Sequence, residues 1–168
     1  MEAIAWSAAV SSLVLGPLSG RPDADWHKAP PGKWSPAQIV HHLALGLEYS
    51  QRTLASRRDH APMRRRRRSP VELAAYLLVM RVGWLPSGFE APRATRPAPQ
   101  PDREAVTRQF REAVDGLRAL ERELLPARAA DLFARHPALG DLTLPEWLRF
   151  HEWHCRHHAK QIRSRLAA

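Results

Sequence analysis

The sequence is poor in the features that mark several large classes of protein. It has one cysteine, Cys155, so an internal disulfide framework is excluded and a reducing, cytoplasmic setting is expected. It has no glycine-rich loop that could cradle a phosphate and no Ser-His-Asp ordering typical of hydrolases. The apolar first twenty residues contain Glu2 and no basic residue, and Gly16 and Pro17 end them. We therefore expect a helix of the folded domain there, not a secretory signal or a membrane span.

Lysine is also scarce, although the chain is strongly basic. The 26 Lys and Arg exceed the 17 Asp and Glu by 9, a balance that invites a nucleic-acid partner. Five of the arginines form one run, Arg64 to Arg68, and without it 21 basic residues face 17 acidic ones. The run is either a phosphate-binding segment or a solvated, flexible connector, and the preference for Arg over Lys favours the connector. No aromatic residue interleaves with it, so we do not expect nucleic acid as a partner.

Capping signals and apolar spacing predict an all-α protein. The clearest start combines Ser35 as N-cap, Pro36 in the first turn and Gln38 in a capping box, with Trp34 and Ile39 as a hydrophobic staple. Five helices are predicted: one that ends at Gly16, one from Ser35 to about Arg57, one from Ser69 to Pro86, one from Asp102 to about Leu125, and one from Thr143 to about Leu166. The apolar side of the first contains Trp6, Val10, Leu13 and Val14, and that of the third contains Leu73, Tyr76, Leu77, Met80 and Trp84. In the fourth, the residues expected to face inward are Val106, Phe110, Val114, Leu117, Leu120 and Leu124.

The connecting segments complete the predicted architecture. Residues 86–101 hold five prolines and are predicted to form a stiff, extended loop. Residues 126–142 are predicted to form a second loop, and no segment shows the alternation of a strand. We expect residues 1–168 to form a single domain, an all-α four-helix bundle with an additional short helix and long Pro-rich loops.

The nine histidines carry the chemical signal in the sequence. At about 100° per residue, with His151 at 0°, His154 lies near 300° and His158 near 340°. Trp147 and Ile162 lie on the same side, so His154 and His158 should face the core. Burying two imidazoles one turn apart costs free energy unless their nitrogens find partners. Such an i, i+4 pair either forms hydrogen bonds in the core or chelates a transition metal.

His42, on the second predicted helix, is the candidate third ligand. Gly46 follows it by one turn and leaves space beside it, either for a close helix contact or for a small molecule. Tyr49 lies about two turns from His42 on the same face and could reach such a pocket. Three neutral imidazoles on Zn²⁺ or Ni²⁺ would leave a coordination position open, where a water or a thiol would become more acidic. Three protein ligands and an open position are typical of a catalytic site.

Other residues of the last helix have less specific signals. His151 and His157 are expected to support the ligands or to lie at the surface. Cys155 falls within the apolar stripe and is predicted to be a buried structural thiol. Arg165 projects toward the side of the apolar stripe but lies so near the chain end that it can reach solvent.

His41 lies on the second predicted helix, about 100° from His42. It is expected to be solvated or to form a hydrogen bond.

Two motifs resemble those of a known group. The segment WSPAQIVHHL, which begins at Trp34, resembles the second-helix motif of the DinB/YfiT-like superfamily. The segment HCRHHAKQ, which ends at Gln161, is similar to the closing H-x-x-H-H-x-x-Q motif of that superfamily. A branch known only as a domain of unknown function is similar in the segments between them: HPALGDLT from His136, Glu146 with Trp147, and the loop with Gly88, Phe89 and Pro92.

The resemblance implies a DinB-like four-helix bundle that holds a divalent metal, zinc or nickel, through His42, His154 and His158. Characterised members include thiol-dependent S-transferases and a thiol-dependent isomerase, which use low-molecular-weight bacterial thiols. It therefore implies a metal-dependent transferase or hydrolase that acts on a small electrophilic molecule, with a thiol as cosubstrate. Gln161 could support a ligand, contact the substrate or pack.

Two other functions stay open at this point. One is a noncatalytic protein of the stress response that binds a metal or a small ligand, for which a homodimer is one option. The other is a protein that binds an anionic polymer through Arg64 to Arg68. The expected partner is otherwise a small-molecule substrate, with no membrane involved.

Overall fold

The computed structural model of the chain describes residues 3–86 and 90–167, and the side chains of residues 8–86, 90–131 and 134–167. This part of the chain forms helices and one small hairpin. The elements are α1 (Ala3–Leu15), α2 (Asp23–His27), α3 (Pro36–Ser56), α4 (Pro70–Leu77), α5 (Arg103–Arg128), β1 (Leu132–His136), β2 (Gly140–Thr143) and α6 (Leu144–Ala167). A π-helical turn, Leu78–Val82, extends α4, and short 3₁₀ turns lie at Gly16–Leu18 and Arg93–Thr95.

Four of the helices form a bundle. α3 packs mainly along α5, α1 packs against both α5 and α6, and α6 closes the ring against α3. All six residues of α5 that were predicted to face inward are buried, and Phe110 and Leu117 are fully so. Each such side chain contributes about 1.5–3 kcal/mol when it leaves water. The predicted all-α four-helix bundle is confirmed.

Reciprocal side-chain caps begin three of the helices, as the sequence predicts. At α3, Ser35 Oγ accepts a hydrogen bond from the backbone N–H of Gln38, and Gln38 Oε1 accepts one from that of Ser35. The Asp102 carboxylate caps α5 by accepting from the backbone N–H of Ala105. The two further reciprocal pairs are Ser69 with Glu72 and Thr143 with Glu146.

The predicted loop at residues 126–142 is wrong. α5 continues to Arg128, and β1 and β2 then pair as an antiparallel hairpin. Strands of five and four residues are too short for alternation to be recognised in a sequence. Gly140 begins β2 with a φ of +76°, a conformation that other residues rarely adopt.

The arginine run is not the flexible connector that the sequence favoured. Arg66 binds the carboxylate of the buried Asp141, with Nη2 2.6 Å from Oδ1. Arg68 donates to the backbone carbonyls of Leu139 and Asp141 at 2.8 and 2.7 Å, and its guanidinium lies 3.9 Å from the ring centre of Tyr76. The run is therefore bound to the hairpin and to α4.

The apolar side predicted for the third helix is wrong in part. Leu73, Leu77 and Trp84 were expected to face inward and are 47%, 45% and 52% exposed, whereas Met80 is buried. Leu73 and Leu77 are one turn apart in α4 and lie on a side of that helix which the bundle leaves exposed. Trp84 follows the π-helical turn at Leu78–Val82, whose longer period rotates it away from the position expected in a regular α-helix.

One helix of the structure was not predicted from the sequence. The connector before α3 contains the unpredicted helix α2, whose Trp26 is buried. The side chain of Trp6, and residues Gly88 and Phe89, lie outside the described parts of the chain. Among the described helices, none has the length and apolar character needed to cross a bilayer.

Candidate metal centre

The bundle brings the three predicted ligands together. α3 carries His42, and α6 carries His154 and His158 one turn apart. Nε2 of His154 lies 3.2 Å from Nε2 of His42 and 3.1 Å from Nε2 of His158. One ligand atom from each residue lies within 4.8 Å of the other two. We call these three residues the histidine triad.

Hydrogen bonds at Nδ1 determine which ring nitrogen carries the hydrogen in two of these imidazoles. His42 Nδ1 lies 2.7 Å from the backbone oxygen of Thr95, which can only accept, so Nδ1 carries the hydrogen. His158 Nδ1 likewise donates to Oε1 of Gln161 at 2.9 Å. Both residues therefore present a bare lone pair at Nε2.

A cation fits between these lone pairs. His154 Nε2 carries at most one hydrogen, so it can satisfy only one of its two Nε2 neighbours, and the other contact brings two lone pairs together. Two ligands of a tetrahedral Zn²⁺ at its usual bond lengths are about 3.3 Å apart, close to the two separations found here. The histidine triad could hold a metal ion, and its nitrogen donors suit a divalent transition metal.

Burial keeps the triad neutral, which is the form that binds metals. Desolvation lowers the pKa of His158 to about 3, with a further contribution from His42. The pKa of His154 is well below its ordinary value, first because of burial and then because of the neighbouring His158 and His42. Burial also lowers the pKa of His42. At neutral pH the three imidazoles are therefore in the uncharged form that coordinates a metal ion.

Two aromatic side chains cover the triad, and the sequence analysis missed this role for both. The Trp34 ring centre lies 4.9 Å from that of His42 and 6.4 Å from that of His158. The ring of Phe150 is stacked on that of His154 at 5.5 Å. Phe150 precedes His154 by four residues, so helical spacing could have identified it. Trp34 had a signal only as a staple residue beside the cap.

Gln161 is placed as a support for the triad. Its Oε1 accepts a hydrogen bond from Nδ1 of His158, and its Nε2 donates one to Nε2 of His157 at 3.1 Å.

His151 is buried nearer the start of α6, where its Nε2 lies 2.9 Å from Oγ of Ser50. Burial, with a smaller effect of His136, lowers the pKa of His151 to about 3.

The Pro-rich loop is bound to the helix that carries His42. Nδ1 of His41 accepts a hydrogen bond from the backbone N–H of Ala98 at 3.1 Å. Nε2 of Gln38 donates to the backbone oxygens of Ala98 and Pro99. Together with the bond from His42 to Thr95, these contacts tie residues 95–99 to the first two turns of α3. His41 is therefore a hydrogen-bond partner, one of the two roles predicted for it.

A cavity of about 490 Å³ adjoins the triad, and all three histidines line it. Its wall is largely apolar and includes Trp34, Val79, Leu85 and Phe150; His157 and Gln161 also line it. Gly46 and Tyr49 are not among the lining residues. A Cβ at position 46 would meet nothing within 4 Å, so no helix packs closely there, and Tyr49 is about half exposed.

His136 is a further lining residue that the sequence did not assign to the site. Its Nδ1 accepts hydrogen bonds from the backbone N–H groups of Ala138 and Leu139 at 3.1 and 3.2 Å. Its ring centre lies 4.4 Å from that of Phe150. Burial lowers the pKa of His136 to about 4, so it is neutral and holds the turn of the hairpin beside the cavity.

Two other predictions concern residues of α6. Cys155 is fully buried, as predicted, and burial raises its pKa to about 12, so it is no nucleophile. Arg165 projects to the apolar side of α6 and is partly exposed, as predicted. Its Nε donates to the backbone oxygen of Trp34 at 3.2 Å, and the residue lines the cavity.

Comparison with known proteins gives one match. The family model described as the DinB superfamily matches residues 6–162, a range that includes the histidine triad and the helices that carry it. No curated protein and no solved structure matches the chain.

Proposed function

This chain belongs to the DinB superfamily, and from that premise we propose that it is a metal-dependent enzyme that transfers a low-molecular-weight thiol to a small electrophilic molecule. The observation that carries the proposal is the convergence of three Nε2 atoms beside a cavity large enough for a small molecule. His42, His154 and His158 would be the ligands, and zinc or nickel the metal. A site closed by a fourth protein ligand would instead be structural.

A divalent ion in the triad would lower the pKa of a thiol or a water molecule bound to it. The protein's own residues orient the donors and keep bulk water away. Thr95 and Gln161 accept the Nδ1 hydrogens of His42 and His158 and so direct both Nε2 lone pairs toward the centre. Trp34 and Phe150 cover the imidazole rings, and the apolar wall provides room for the carbon skeleton of a substrate.

The proposed reaction is a simple substitution. The sulfur of the thiol forms a bond to an electrophilic carbon, and the bond from that carbon to its leaving group breaks with its electron pair. The thiol proton passes to solvent. No acidic side chain among the described lining residues contacts the triad, so none would neutralise the charge of a metal ion held by His42, His154 and His158.

Metal analysis of protein purified without a histidine tag tests the first part of the proposal. We expect about one equivalent of a divalent transition metal in the native protein and less than a tenth of that in a His154→Ala, His158→Ala double variant, because two of three ligands are gone. The control is His27→Ala with His60→Ala, which removes two histidines outside the triad and should leave the metal content unchanged. Metal that persists in the triad variant would contradict the proposal.

Assays with the metal-loaded protein test the second part. With monochlorobimane as the electrophile and bacterial thiols as donors, we expect formation of the bimane thioether with release of chloride, and loss of that activity in the double variant. Hydrolysis of activated esters without any thiol would instead identify a hydrolase. Stoichiometric metal with neither activity would favour the noncatalytic, ligand-binding alternative.

A further inference from the structure

The cavity beside the triad contains positive charge that no described acidic residue nearby balances. Lys33 and Arg165 both line it. The acidic lining residue, Glu90, is mostly exposed and forms an ion pair with Arg96. Within the described parts of the chain, no ion pair joins Lys33 or Arg165 to a carboxylate. A divalent ion in the triad would increase the positive charge further.

A hydrogen bond to the backbone holds the Arg165 side chain beside the cavity. Its Nε donates to the backbone oxygen of Trp34, the residue whose ring covers His42 and His158. This bond uses one of the five guanidinium N–H groups and leaves the two terminal NH₂ groups, which form no hydrogen bond with the described residues. Arg165 follows His158 by seven residues, or two turns, so it stands on the same face of α6 about 10 Å further along the axis.

We propose that this cavity binds ligands with a carboxylate group, and that Arg165 binds the carboxylate while the other end of the ligand faces the histidine triad. The proposal rests on the proposed function and adds the class of substrate. The two NH₂ groups of a fixed guanidinium match the two oxygens of one carboxylate. Lys33, at the exposed rim, adds a charge that attracts the anion. The apolar wall between the two ends suits an aliphatic or aromatic spacer.

Matched thiols that differ only in their far end test the proposal. Cobalt-loaded protein is titrated with 6-mercaptohexanoate and with 6-mercaptohexanol, and the thiolate-to-cobalt absorption gives each dissociation constant. The shorter pair, 3-mercaptopropionate and 3-mercaptopropanol, is titrated in the same way. We expect the native protein to bind at least one acid about tenfold more tightly than its alcohol.

The decisive comparison uses two variants of α6 with the same change of charge. Arg165→Gln should reduce the preference for the acid to less than twofold and leave the affinity for the alcohol unchanged, which also shows that the variant is folded. Arg163→Gln removes an exposed arginine two residues away and should keep the full preference. Equal binding of acid and alcohol by the native protein, or an undiminished preference in Arg165→Gln, would refute the proposal.

A metal-free measurement separates failure of this inference from failure of the proposed function. If neither thiol changes the cobalt spectrum, the thiol chemistry is wrong, and the carboxylate site is tested by calorimetry of metal-free protein with hexanoate. Binding that weakens at least fivefold in Arg165→Gln and not in Arg163→Gln supports the site. No binding by the native protein would overturn it.

Discussion

The imidazoles of His42, His154 and His158 are more constrained than their spacing in the sequence suggests. Each outer ring has its hydrogen at Nδ1, held by Thr95 in one case and by Gln161 in the other. Their Nε2 lone pairs therefore face His154 from two sides, an arrangement that a cation stabilises and that neutral imidazoles alone cannot satisfy. At the scale of single residues, the protonation of these rings is the property that prepares the site.

Replacement of Gln161 tests whether the hydrogen bond at Nδ1 of His158 orients this ligand. Gln161→Leu removes the acceptor of the His158 hydrogen, so we expect zinc affinity at pH 7 to fall about 10- to 100-fold in competition with a chelator. Gln161→Glu keeps an acceptor at that position and should retain the affinity.

A glutamine outside the site provides the control. Gln109 Nε2 donates to Oε1 of Glu48 between two helices. Gln109→Leu makes the same substitution, also removes a hydrogen bond between side chains, and should leave zinc binding unchanged. If Gln161→Leu binds zinc as tightly as the native protein, the hydrogen bond does not orient the ligand.

At the scale of elements, the hairpin is fixed by a segment far away in the sequence. The carboxylate of Asp141 is 1% exposed and receives hydrogen bonds from the side chain and the backbone N–H of Arg66. Arg135 of β1 lies 3.6 Å from the same carboxylate. Nearby cations and hydrogen bonds outweigh the desolvation and hold the pKa of Asp141 below its ordinary value. The hairpin, in turn, contributes His136 and Leu139 to the cavity wall.

Variants of two neighbouring arginines separate the effect of this ion pair on stability from the effect of net charge. Arg66→Ala removes the main partner of a buried carboxylate, and we expect the melting temperature to fall by roughly 5 °C. Arg67→Ala makes the same change of charge in the same run at an exposed position and should have no such effect. Calorimetry of both variants at pH 7 is the measurement, and equal melting temperatures would show that the ion pair does not stabilise the fold.

At the scale of the whole molecule, neutral buried histidines make stability depend on pH. The pKa of His151 is about 3 and that of His136 about 4 in the folded chain, against 6.5 when unfolded. Below pH 6.5 the unfolded chain takes up protons that the folded chain excludes, so stability is complete above pH 6.5 and decreases toward pH 4. Each such histidine contributes a slope of about 1.4 kcal/mol per pH unit in that window.

Removal of His151 should make this dependence shallower. We expect His151→Gln to be less stable than the native protein at pH 7, because the bond with Ser50 is altered. Between pH 4 and 6, its free energy of unfolding should decrease by about 1.4 kcal/mol less per pH unit than that of the native protein. Urea unfolding in the presence of a chelator measures both slopes. His60→Gln, at an exposed position, is the control for loss of one histidine, and equal slopes in His151→Gln and the native protein would contradict the assignment.

Much of the architecture is predictable from short stretches of the chain. Helix starts are predictable at Ser35, Ser69 and Asp102, because a cap is made by residues at most three positions apart. The shared face of His154 and His158 follows from helical geometry alone. The hairpin is not predictable in this way, since its strands are short and its stability depends on Arg66, which lies 75 positions from Asp141.

The sequence by itself determined the all-α fold, the starts of the long helices and the three histidines that meet, because these depend on local periodicity, on caps and on two short motifs. Only the tertiary structure decided what surrounds them. Trp34 and Arg165 are 131 positions apart and form a hydrogen bond beside the triad, and His136 reaches the cavity from the hairpin. Tyr49, which shares a helix face with His42, lies outside the cavity lining. Contacts between distant segments depend on how whole elements pack, and no local pattern records that packing.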